Sequence, residues 1–204
     1  DAIEYADTGA NDFYQKYANS WNTYGILCEE KGVCQSYAYA FNVLAYEAEL
    51  ESVMATGSMQ GGGHAWNSVK INDTWYMLDA TNNGKSTGIP YWICNTGTDF
   101  IYSIGFVLDD GFVDGSNFLS YMKNDNKEDW YTDQGLYAET PEECADIWYK
   151  NKNQKELFIK YHGIDDEEFY DKFFEKAVKL GASESDFSNV RSGMVSGYFL
   201  IIKD

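Results

Sequence analysis

Gly32-Val33-Cys34-Gln35-Ser36-Tyr37-Ala38 opens an apolar stretch of helical periodicity with a cysteine at its mouth. Cys34, Tyr37, Phe41, Leu44, Ala45 and Ala48 fall on one helical stripe, and Glu47, Glu49 and Glu51 lie away from it. The pattern predicts a helix from Cys34 to about Glu51 with one face in a core. In the first turn of a helix the amide N–H groups lack intrahelical acceptors, and the helix dipole is positive. Both favour thiolate over thiol, and thiolate is the reactive form of cysteine.

Downstream of Cys34 comes Gly63-His64-Ala65-Trp66-Asn67, and after that Trp75-Tyr76-Met77-Leu78-Asp79-Ala80-Thr81. Residues 64–71 and 74–81 read as a β-hairpin turning at Asn72-Asp73. A two-residue loop there sets Trp66 opposite Asp79 and His64 opposite Thr81. His64 and Asp79 are then same-face diagonal neighbours, about 7–8 Å apart at the backbone, a gap that side chains can bridge. A loop of odd length would put them on opposite faces.

A thiol, an imidazole and a carboxylate in this arrangement point to nucleophilic catalysis. Thiolate attack on a carbonyl gives a thioester, and the proton it gives up and later returns needs a base. His64 is the better placed of the two histidines, since His162 lies beside Gly163 in a turn and reads as a surface residue. Asp79 would orient the ring through its other nitrogen. The backbone N–H of Cys34 is the first expected oxyanion donor. Gln35, Trp66, Tyr24 and Trp21 are the flanking candidates for the groove and the second donor.

Around this segment, residues 2–24 read as a helix broken at Asn22-Thr23-Tyr24-Gly25, and Glu29 to Gly32 as a polar loop. Ser58 to Gly63 is glycine-rich without phosphate-loop spacing, and is expected to be a connector or a mobile wall of a groove. Residues 82–88 form a turn cluster; Tyr91 to Cys94 and Phe100 to Leu108 read as strands. Asp109-Asp110-Gly111 and Asp114-Gly115 read as solvated acidic turns without the calcium-loop ligand pattern. Polar residues cluster at 124–128, and the expected division is a core over 1–124 and an appendage over 125–204 packed on it. In the appendage, Thr140-Pro141-Glu142-Glu143 is a helix-start signature. Leu157 to Tyr161 reads as a strand, Asp165 to Leu180 as a helix stopped by Gly181, and Gly197 to Lys203 as a last strand.

Composition narrows the classes further. Thirty-three acids against 15 bases give a net charge of −18, which repels phosphate backbones and anionic membranes, so no nucleic-acid partner is expected. No run of 18 apolar residues exists in the chain, and no membrane insertion is expected. Asp1 to Tyr5 does not read as a signal peptide. The four cysteines, Cys28, Cys34, Cys94 and Cys144, fit no zinc spacing, so no metal or other cofactor is expected; with Cys34 free, at most one disulfide could form.

The quoted motifs, together with Tyr24-Gly25-Ile26-Leu27 and Lys31-Gly32, resemble the transglutaminase-like superfamily over roughly residues 10–110. The resemblance implies an α+β, papain-like core with N-terminal helices on an antiparallel sheet and, here, a C-terminal α/β appendage. It also implies Cys34 as nucleophile, His64 as base and Asp79 as orienter. Ser36 stands where relatives usually have Gly, and Asn82 where Trp is common. The C-terminal half resembles segments that accompany this domain in bacterial, often cell-surface, proteins, which implies an extracellular setting. The expected function is cysteine-dependent acyl transfer on peptide or protein amides: hydrolysis, deamidation or cross-linking. The alternative is a catalytically silent peptide-binding or surface module on the same fold. An acyltransferase for small amines would share the triad.

Overall fold

The two-residue turns Gln60-Gly61 and Asn72-Asp73 organise the sheet that carries the histidine. A computed structural model describes residues 4–6, 18–83, 89–109, 129–163, 167–188, 190–195 and 198–203. The architecture is mixed α and β, in two compact units, residues 1–130 and 131–204. The boundary expected at 124/125 and the acidic turns expected over 110–115 lie outside the described residues.

In the first unit, β1 (Glu4–Tyr5) pairs in parallel with β2 (Lys31–Gly32). Between them lies α1 (Thr23–Glu29). The helix expected over 2–24 is therefore not found where the chain is described: residues 4 and 5 are strand, residues 18–22 turn, and the helix starts where a break was expected. The reason is local. Asn22 is extended and its side-chain oxygen accepts from Tyr24 N and Gly25 N at 3.0 and 3.3 Å, so it caps a helix instead of ending one. Glu30, left-handed at φ 55°, closes that helix.

Helix α2 (Cys34–Glu47) follows β2 directly. It ends about one turn short of the expected Glu51, where Glu49 turns left-handed at φ 59°. Its buried face is also shifted from the expected stripe. Cys34, Ser36, Tyr37, Ala38, Ala40 and Ala45 are buried, whereas Leu44 is 56% exposed and Ala48 is exposed. Small residues let the helix sit close to the sheet, with Cys34 and Ala38 against Ala65 and Met54.

The sheet has five antiparallel strands in the order β6-β5-β4-β3-β7. These are β3 (Ser52–Met59), β4 (Gly62–Ile71), β5 (Thr74–Leu78), β6 (Cys94–Thr96) and β7 (Phe106–Leu108). The β4–β5 register has the two-residue loop expected, Ile71 facing Thr74 and Asn67 facing Leu78. Asn72 and Asp73 both take positive φ, at 48° and 64°, as the primed hairpin turns require. The glycine-rich stretch is not a free connector. Ser58 pairs with Gly63 and Met59 with Gly62, so it is the tip of a second hairpin with Gln60 and Gly61 at φ 51° and 85°. Two expected strands are corrected. Tyr91 to Ile93 is turn, and 98–103 is a short helix, α3 (Thr98–Ser103), ahead of β7. Gly97 starts that helix and Gly105, at φ 91°, lets the chain turn into β7.

The second unit opens with the start of α4 (Trp130–Asp133) at the division of the chain, then β8 (Tyr137–Ala138), α5 (Pro141–Asn151), β9 (Leu157–Tyr161), α6 (Glu167–Lys179), a 3₁₀ turn (Glu184–Phe187), β10 (Val190–Val195) and β11 (Tyr198–Lys203). Its sheet runs β10-β11-β9-β8. Thr140 caps α5 by accepting from Glu143 N at 3.1 Å, and Gly181 follows α6 at φ 99°. Trp148, fully buried, stacks on Phe187 at 4.7 Å and closes a core with Cys144, Ile159 and Phe173. Strand β10 escaped the sequence reading because Arg191-Ser192-Gly193 breaks its apolar pattern.

Candidate active site

Cys34 enters the site as the first residue of α2 and is 9% exposed. Val33 N donates to Ser20 O at 3.0 Å and to Ser36 Oγ at 2.9 Å, and Ser36 Oγ donates to Val33 O at 2.7 Å. The buried Ser36 thus locks the residue before the cysteine. A Cβ on Gly32 would collide with Ser36 Oγ and with Ile26, so a glycine at 32 is what makes room for the serine.

His64 stands on β4 opposite Gly57 of β3, its side chain 6% exposed. Phe106 of β7 meets it edge-on at 5.5 Å and Trp66 lies parallel to it at 6.1 Å. Asp79 follows the last residue of β5 and is fully buried. The imidazole Nε2 and Asp79 Oδ2 are 2.7 Å apart. The same-face relation derived from the hairpin is therefore realised as a direct bond. With Nε2 committed to the carboxylate, Nδ1 is the nitrogen left to face the sulfur.

Asp79 is itself held. Its Oδ1 accepts from Thr81 N at 2.9 Å and Asn82 N at 3.3 Å, an Asx-type turn that ends β5. The turn is tied to the neighbouring segment through Asn83, whose side chain pairs with both backbone groups of Ile93 at 2.7 Å. Asp79 N donates to Ile93 O at 2.9 Å.

Burial of the His64 ring works to lower its pKa. The hydrogen bonds to Asp79 and then to Cys34, with the charges of both, outweigh this and raise it from 6.5 to about 9. The ring is thus an imidazolium at neutral pH, within hydrogen-bonding reach of the Cys34 sulfur. That pairing favours a thiolate. Cys144 shows the opposite environment: burial, then the charge of Glu143, pushes its thiol up to about 12 and leaves it inert. None of the four cysteines is in a disulfide.

Of the flanking candidates, Gln35 is half-buried and its side-chain amide donates to Trp21 O at 3.4 Å, which brings these two together beside the nucleophile. Trp21 and Tyr24 are 40% and 56% exposed. Trp66 is 1% exposed, so it backs the imidazole from beneath and does not line an open groove. Asn82 carries a contact that the sequence reading missed, because it stood out there only as a departure from Trp; its side-chain amide donates to Asp79 Oδ2 at 2.6 Å. Among the described residues no group of three or more His, Cys, Asp or Glu could hold a metal ion, and no helix is long and apolar enough to cross a membrane.

The described fold and site define an α+β domain in which a helix-mouth cysteine, a strand histidine and a buried aspartate converge. Residues 2–80 match the family model of the transglutaminase-like superfamily, a span that includes all three side chains. A solved structure described as "Crystal structure of a TGase" aligns at 17% identity and a TM-score of 0.35, over 72% of this chain and 38% of its own. The chain thus spans well under half of that protein's length. No curated protein matches.

Proposed function

We propose that the chain is a cysteine-dependent acyl-transfer enzyme acting on peptide or protein amides. The observation that carries this is the 2.7 Å bond between the His64 ring and buried Asp79, on a ring that Cys34 also holds protonated. In this reading the Cys34 thiolate attacks the amide carbonyl carbon at the start of α2, where the backbone N–H of Cys34 donates to developing oxyanion charge. The tetrahedral intermediate collapses as its C–N bond breaks. The His64 imidazolium delivers its proton to the departing nitrogen, and a thioester to Cys34 remains. Neutral His64 then takes a proton from water or an amine, which attacks the thioester and restores the thiolate–imidazolium pair. Water yields the acid, and an amine yields a new amide. Throughout, Asp79 keeps the ring in one orientation and balances its charge.

The test is site-resolved alkylation. Iodoacetamide at pH 6 should modify Cys34 faster than the exposed Cys28, because thiolate is the reactive form and the charged His64 ring favours it at Cys34. Cys34→Ala should abolish the fast phase and all thioester formation with a glutamine-containing peptide. Faster modification of Cys28, or an unchanged fast phase in Cys34→Ala, would overturn the reading.

A further inference from the structure

The carboxylate that orients the ring has a second claimant. Asp79 Oδ2 receives the His64 ring at 2.7 Å and the Asn82 side-chain amide at 2.6 Å. The same amide nitrogen lies 3.5 Å from His64 Nε2 and 3.4 Å from the Met59 sulfur. Met59 holds it from β3, so the amide is wedged among three neighbours.

Holding Asp79 in place does not require this amide. The backbone N–H groups of Thr81 and Asn82 already anchor Oδ1, and Asp79 N is bonded to Ile93 O. What the amide adds is charge distribution. An N–H donated to Oδ2 withdraws acceptor strength from the bond to the ring. Its positive hydrogens also face Nε2, where they oppose positive charge on the imidazole. From the structure we propose that Asn82 is a positioning residue of this site, whose side-chain amide shares Asp79 Oδ2 with His64 and limits how strongly the carboxylate holds the ring.

The ring's other surroundings leave this contact distinct. The titratable groups that act on it are Cys34 from α2 and Asp79 after β5. Phe106 from β7, Trp66 from β4, and Gly57 and Met59 from β3 bring no charge. The consequence concerns the acid step of the proposed reaction, on which this inference rests. An imidazolium bound too tightly by its carboxylate is a poor proton donor to a leaving amine, and a shared carboxylate keeps that proton transferable.

The experiment needs no substrate. The full chain has two histidines, so its imidazole Cε1–H signals in a proton NMR titration are two, and His162→Gln assigns them. Asn82→Leu removes the amide at similar size. The expected result is a rise in the His64 pKa of about one pH unit over the wild-type chain, the scale of one hydrogen bond to a charged group. Asn82→Ser, which can restore a donor, should bring the value back toward wild type. An unchanged or lowered pKa in Asn82→Leu overturns the inference. A wild-type His64 titrating near 6.5 would instead overturn the triad reading beneath it, so the two failures are separable.

Discussion

Replacing Asp79 by Asn keeps the volume of a fully buried side chain and removes its charge. The amide oxygen can still accept from Thr81 N and Asn82 N, so the turn after β5 should survive. The His64 ring, however, loses its leading stabilising partner while keeping the burial that lowers its pKa. In the wild-type chain the ring is raised from 6.5 to about 9, which corresponds to about 3 kcal/mol favouring the charged ring. Without the carboxylate only Cys34 opposes burial, and the His64 pKa should fall by about two units or more. The sign follows from the charge. At pH 7 nearly all wild-type rings are protonated, while in Asp79→Asn about half or fewer are. The wild-type acid function is present below the raised pKa and is lost as pH rises through about 9; in the variant that loss moves to lower pH. Proton NMR of the His64 Cε1–H reads the titration directly, and iodoacetamide alkylation of Cys34 at pH 6 reads its effect on the thiolate. Titration of Asp79→Asn within half a unit of wild type would refute the argument that this carboxylate governs the ring.

Two further outcomes test how the structure supports the site and the second unit. Gly57→Ala should destabilise the first unit by about 1–3 kcal/mol in denaturant unfolding, because its Cβ would press on the Val107 carbonyl and push β7, with Phe106, off the His64 ring. Thr140→Ala removes the acceptor for Glu143 N, and at about 1 kcal/mol it should speed hydrogen exchange of that amide about fivefold, with no effect on His64 titration.

How much of this was legible beforehand depended on range. The β4–β5 hairpin followed from Asn72-Asp73 and the flanking alternation, because a turn of two left-handed residues dictates the register of both strands. That register carried His64 and Asp79 to the same face. The helix at Cys34 was equally legible at its start. Its buried face was not, since Leu44 lies 56% exposed and the small Ala38 and Ala40 are buried instead. Which stripe a helix buries depends on what it lies against. The same holds for Phe100, whose apolar neighbours suited strand or helix equally until Gly97 and Gly105 bounded a short helix.

The order of cysteine, histidine and aspartate, the capping Asn22 and Thr140 and the turn chemistry were all written in the chain itself, because each acts over a few residues. Tertiary structure alone brought the α2 start to β4, laid Trp66 and Phe106 against the imidazole, and set the Asn82 amide on the carboxylate that the ring also uses. Those contacts join elements far apart in sequence or depend on a rotamer inside a turn. Their energies arise only once water has left the space between them.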